Sequence, residues 1–203
     1  MGTRPKLISK EIYHVYNRGT DKRPIFLDAK DYERFLSLMH LSNGTKSVHM
    51  SNYQGLTLVE LLILEKGEPL VDIAAYCLMP NHFHLLLHQK VDGGISKFMQ
   101  KLTTGYTMYF NTKHERSGAL LQGTFKSKHA GEDRYLRYVL SYIHLNPLRY
   151  ATYPYSSYLD FMNKERPQNC IINRSCLPMY FDTPQQFDKE LKEWFTYRTE
   201  YQG

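Results

Sequence analysis

Cysteine is scarce in this chain. Only Cys77, Cys170 and Cys176 occur among 203 residues, and no two form a Cys-x-x-Cys pair. An odd number without a spacing pattern argues against a disulfide framework and suits a reducing cytoplasm. Cys77 sits inside an apolar stretch and reads as a small buried hydrophobe. Long apolar runs are also missing. No stretch approaches the roughly 18 apolar residues that would span a bilayer, so no membrane partner is expected. The opening Met-Gly-Thr-Arg-Pro-Lys has no apolar segment behind it that would make a leader. Internal repeats and low-complexity tracts are absent too.

What remains has the composition of a globular chain. The apolar fraction is 42%, and 203 residues suit one domain, or one domain with an appendage. Lys and Arg number 26 against 20 Asp and Glu, a net charge of +6. That excess favours polyanionic partners without requiring them. The 17 tyrosines are unusual. Exposed among Lys and Arg they could stack nucleobases; buried, they would be packing residues.

The periodicities order the chain. Residues 11–18 alternate as a strand. Asp28 to about Leu41 carries Tyr32, Phe35, Leu36 and Met39 at helical spacing. Leu56–Glu65 is apolar but too short to assign to helix or strand. Val71–Leu78 and His82–His88 read as two strands joined by a tight Met79-Pro80-Asn81 turn. Ile95 to about Lys113 reads as a helix, Ala119–Lys128 contains a strand, and Glu132 to about Leu145 is a helix stopped by Pro147. Strand, helix, two strands, helix, strand is the order of an α+β, ferredoxin-like split βαβ sheet with helices on one face, followed by one further helix. Composition shifts after Tyr150. The expected division is residues 1–150 as the core domain and 151–203 as a C-terminal extension. Tyr153–Tyr158 would be an irregular link, 160–183 loop-rich, and Pro184 to about Tyr197 a terminal helix.

The chemistry concentrates in His82-Phe83-His84. Side chains two apart on a strand share a face, roughly 7 Å apart, so these imidazoles can aim at one point while Phe83, Leu85 and Leu87 pack behind them. Neutral imidazole is a common metal ligand. His88 continues the alternation and is expected to face solvent at the rim. A histidine-triad nucleotide hydrolase would need another histidine where Leu86 stands. The missing half of the site is sought on the helix at Tyr142-Ile143-His144-Leu145-Asn146-Pro147. Tyr142 and Asn146 lie four apart, on one helix face. Asn146 offers an amide oxygen suited to a hard divalent ion such as Mg²⁺ or Mn²⁺, or it simply caps the helix. Tyr142 offers a phenol, whose phosphate ester would keep the phosphoryl group transferable. Tyr135 and Tyr138 share its helix and read as packing residues. His14 and Arg18 share a strand face and could border the site.

These segments resemble one family. Tyr13-His14-Val15-Tyr16-Asn17-Arg18-Gly19, Phe26-Leu27-Asp28 to Phe35, Tyr76-Cys77-Leu78-Met79-Pro80-Asn81-His82-Phe83-His84 and Tyr142-Ile143-His144-Leu145-Asn146-Pro147 occur in the order found in HUH-endonuclease single-tyrosine transposases. They are most similar to the REP-associated branch. The resemblance implies a ferredoxin-like nuclease core, a divalent metal (Mg²⁺ or Mn²⁺) on His82, His84 and Asn146, and Tyr142 as nucleophile. It implies a transposase that cleaves single-stranded DNA at hairpins or palindromic repeats, through a 5′-phosphotyrosine with a free 3′-OH. A homodimer, with the site completed in cis or by a second subunit, is compatible with it. Two rival readings keep the fold: a catalytically silent hairpin-binding protein, and a metal phosphodiesterase using water. Leu121-Gln122-Gly123-Thr124-Phe125-Lys126 keeps the branch's glutamine but not its tryptophan or arginine. Arg18, Gln122, Lys126, Lys128, Arg134 and Arg137 are the candidate DNA contacts.

Overall fold

A computed structural model of the chain describes residues 7–47 and 49–201, with side chains through residue 196. The N-terminal hexapeptide, where a leader was sought, and the Tyr197 side chain lie outside the described residues. Strands β1 (Ile12–Arg18), β2 (Val71–Met79), β3 (His82–Gln89) and β4 (Lys126–His129) form one sheet in the order β2-β3-β1-β4, with every neighbouring pair antiparallel. Helices α1 (Ala29–Ser42) and α3 (Gly94–Lys113) make the two crossovers. This is the ferredoxin-like arrangement, and it puts β1 and β3 at the centre.

The alternation of β3 divides the molecule. Phe83, Leu85 and Leu87 join Val15 of β1 in a fully buried cluster with Phe35 and Met39 of α1 and Phe98, Leu102 and Tyr106 of α3. On the opposite face Leu86, Ala75 and Cys77 meet Leu136, Val139, Leu140 and Ile143 of α4 (Asp133–His144). Small side chains on β2 let this second helix approach the sheet, so β2 is buried on both faces. Among the described residues no helix is long and apolar enough to cross a membrane.

Three local features differ from expectation or decide what was open. The undecided 56–65 segment holds a short helix, α2 (Leu58–Leu62). Thr57 accepts the Glu60 amide while the Glu60 carboxylate accepts the Thr57 amide, a reciprocal cap already written in Thr57-Leu58-Val59-Glu60. The strand expected over 119–128 is regular only from Lys126. Upstream, Gly123 takes a left-handed φ of 66°, and a lone bridge joins Leu121 to Gly19. Residues 153–158 are not a free link. The Leu78 amide donates to Tyr155 and the Ser157 amide to Tyr76, at 2.9 and 3.0 Å, so this segment covers the exposed edge of β2. Arg166 clamps it by donating to the carbonyls of Pro154 and Ser156, to the buried Tyr76 hydroxyl and to the Asp160 carboxylate. Beyond α5 (Tyr158–Phe161), helix α6 (Pro184–Tyr201) places Phe187 and Leu191 in the α4-side cluster.

The two crossover helices are tied by one buried carboxylate. Asp31, at 0% exposure, accepts hydrogen bonds from the Leu27 amide (2.8 Å), Lys113 Nζ (2.7 Å) and Tyr109 Oη (3.1 Å), with His114 Nε2 at 3.1 Å. Burial alone would raise its pKa. The hydrogen bonds from Lys113, Leu27 and His114 outweigh that and hold it below the ordinary carboxylate value. A folded pKa below the unfolded one contributes stability above the unfolded value, near 3.9, and loses it as pH falls through the folded value. We expect Asp31→Asn to cost about 3 kcal/mol at pH 7, with the gap to the parent closing below pH ~4. Urea denaturation across that range checks both. A gap that stays constant with pH contradicts an ionised Asp31.

Candidate metal and tyrosine site

Register brings the site together. In the β1–β3 ladder Tyr16 stands opposite His84 and Arg18 opposite His82, and His14 shares their face. His84 Nδ1 lies 2.9 Å from His14 Nε2, with the rings stacked at 30°. One ring nitrogen must donate and the other accept. Burial lowers the pKa of His84, helped by the neighbouring His14 and His82, to about 3. Burial and then Lys128 lower that of His14 to about 4. Burial also lowers His82. All three rings are therefore neutral near pH 7, the form that binds metals.

His82 is oriented through its neighbour. Asn81 Nδ2 donates to the Lys22 carbonyl (3.1 Å), which leaves Asn81 Oδ1 to accept from His82 Nδ1 at 2.7 Å. With the proton on Nδ1, His82 Nε2 carries a lone pair, and it faces Asn146 Oδ1 at 3.4 Å. Asn146 follows the end of α4, and its Nδ2 donates to the Tyr142 carbonyl (2.9 Å). The amide nitrogen caps the helix while the oxygen turns to His82. Two acceptors face each other, an arrangement that a cation relieves. Neighbouring ligands of an octahedral ion with bonds near 2.1 Å stand roughly 3 Å apart, so the observed gap fits a divalent ion. Among the described residues no three His, Cys, Asp or Glu side chains group around one point; the donors that face each other here are a His82 nitrogen and the Asn146 amide oxygen.

Tyr142 closes the constellation. Its ring stands edge-on to His84 (centroids 5.4 Å, 81°) and to His14 (6.0 Å, 71°). It lines a cleft of about 410 Å³ with His82, His84, Arg18, Gln122 and Lys126. Arg18 Nε donates to Gln122 Oε1 at 2.5 Å, across the mouth of that cleft. Lys128 lies in a neighbouring crevice over the Tyr135 ring. Arg137 is turned to α6, where it pairs with Glu190 at 2.6 Å. Arg134 is exposed near the start of α4 and lines neither cleft. His88 is only partly open to solvent. It is 22% exposed and bonded to Asp72 Oδ2 at 2.9 Å.

Strand alternation alone puts His14 at the border of the site, whereas it touches His84, and the spacing of the motifs does not mark Asn81. His14 could be placed only by the pairing of β1 with β3. Asn81 carried a local signal, as a side-chain oxygen in the turn directly before His82.

This architecture has known relatives. Residues 61–146, which hold His82, His84, Tyr142 and Asn146, match the family model described as "Transposase IS200 like". That segment is similar to IS200-like transposases, the resemblance the motifs implied. β1 and its His14 lie outside the match. No curated protein matches the chain. A solved structure, described as a REP-associated tyrosine transposase bound to a REP hairpin, has the same fold, with TM-score 0.57 and 12% identity over 83% of this chain and 90% of that one.

The buried rings set a pH response. A folded pKa below the unfolded histidine value of ~6.5 means the unfolded chain takes up protons first. Stability then falls as pH drops below that value. In ¹⁵N NMR of the metal-free protein, His14 and His84 are expected to stay neutral at pH 5.5. Either ring titrating near 6.5 contradicts this packing.

Proposed function

We propose that the protein is a metal-dependent single-stranded DNA endonuclease and strand transferase that uses Tyr142 as its nucleophile. The observation that carries this reading is the convergence of the Tyr142 ring and the two imidazoles on one cleft, with the Asn146 oxygen 3.4 Å from His82 Nε2. His82, His84 and Asn146 would hold a Mg²⁺ or Mn²⁺ ion, whose contribution when bound is Lewis-acid polarisation of a phosphate oxygen. Arg18 and Lys126 at the mouth of the cleft would hold the flanking phosphates.

The Tyr142 oxygen attacks the phosphorus and gives up its proton to solvent. The new Oη–P bond forms as the P–O3′ bond breaks, and O3′ takes a proton to leave as a free hydroxyl. The DNA 5′ end is then esterified to Tyr142. Phenolate is a far better leaving group than alkoxide, so a 3′-OH can reverse the step and rejoin strands. Hydrolysis by water would have no need of the tyrosine. The hairpin in the related solved structure supports hairpin DNA as the partner of this chain.

Incubating the protein with a palindromic hairpin bearing single-stranded flanks and Mn²⁺ tests this. We expect a covalent protein–DNA adduct that maps to Tyr142 by mass spectrometry and vanishes in Tyr142→Phe. Cleavage that survives Tyr142→Phe would point to water as the nucleophile; binding without cleavage would point to a silent hairpin binder. Asn81→Ala removes the acceptor that fixes the His82 ring. We expect it to weaken Mn²⁺ binding about 10–100-fold by calorimetry, the usual effect of losing a partner behind a metal ligand.

A further inference from the structure

A strand cut at Tyr142 must leave the scissile phosphate in two directions, and the surface offers two channels that meet there. The first is the cleft with Arg18, Gln122 and Lys126 on its walls. The second is a crevice of about 350 Å³ lined by Lys128, Tyr135 and Tyr138 on the other side of Tyr142. Tyr16, His84 and Tyr142 form the wall common to both. Their chemistry differs. The first is cationic and amide-rich; the second is aromatic with one cation.

We propose that the second crevice is the track for the unpaired nucleotides on one flank of the scissile phosphate, with a base stacked on Tyr138 and the adjoining phosphate on Lys128. This assignment rests on the strand-cleaving function proposed above. Tyr135, Tyr138 and Tyr142 stand at i, i+3 and i+7 on α4, with successive ring centroids 6.1 and 6.0 Å apart. Tyr138 is 43% exposed although it sits one ring from the nucleophile. Trp194 of α6 stands edge-on to it at 5.8 Å and 68°, which fixes its plane from the side. Lys128 Nζ is held 4.0 Å over the Tyr135 ring, and among the described residues it makes no ion pair within 4.0 Å. A flat exposed ring with a cation over the neighbouring ring matches the stacking platform and backbone contact that bind single strands without reading their sequence.

The test uses the full chain carrying Tyr142→Phe, so that the DNA stays intact, and a palindromic hairpin with 2-aminopurine walked along both single-stranded flanks. We expect fluorescence to be quenched at a position beside the cleavage point on one flank only, which identifies the flank. Tyr138→Leu should abolish that quenching and weaken binding roughly tenfold, the order of one lost base stack. Tyr138→Trp should restore both. Lys128→Gln should keep the quenching but reduce the slope of log Kd against log salt by about 0.7, one single-strand phosphate. Unchanged quenching and affinity in Tyr138→Leu, while the Tyr142-intact chain still cleaves the hairpin, would overturn the crevice assignment and leave the proposed function standing. Failure of the Tyr142-intact chain to cleave the hairpin would overturn both. Matching thermal midpoints for the Tyr138 variants exclude misfolding as the cause.

Discussion

The pairing of β1 with β3 is the constraint on which the rest depends. Strand side chains alternate, so slipping this ladder by one residue would send every histidine of the site to the other face of the sheet. The register is held from behind. Phe83, Leu85 and Leu87 are wholly buried against α1 and α3, and the Asp31 cluster locks those two helices together. The core-facing half of β3 therefore specifies where the other half aims. Rigid strands suit the proposed site, in which both imidazoles would share one ion within a few tenths of an ångström.

On that frame the site is built from pairs in which one polar group fixes the next. Lys22 presents its carbonyl to Asn81, Asn81 holds the His82 proton on Nδ1, and the lone pair on Nε2 meets the Asn146 oxygen. His14 does the equivalent for His84, since a ring nitrogen occupied by one neighbour defines what the other nitrogen presents. Burial keeps these rings neutral. The facing acceptors of His82 and Asn146 are half-buried, and acceptors turned on each other away from water are costly unless something positive stands between them.

Much of this was legible in the sequence. His82 and His84 announced themselves because a period of two needs no knowledge of the fold. Tyr142 and Asn146 stood out through their four-residue spacing together with the family resemblance. The order of elements was enough for the sheet topology, and the family model bears out the resemblance of residues 61–146. Other features were not legible because they depend on partners distant in the chain. His14 reaches the site by strand register, and Arg137 leaves it because Glu190 of α6 draws it away. Tyr138 looked like packing because helical spacing cannot tell a buried stripe from an exposed one beside a crevice. The strap at 153–157 had no strand pattern, since an edge-covering segment borrows its regularity from β2.

The central claim is that the opposed acceptors of His82 and Asn146 are the two sides of a cation site. Anomalous diffraction from crystals soaked in Mn²⁺ tests it most directly. One manganese peak is expected within about 2.0–2.4 Å of His82 Nε2, a nitrogen of His84 and Asn146 Oδ1. A manganese-free site would contradict it, with His82 protonated on Nε2 and donating directly to Asn146.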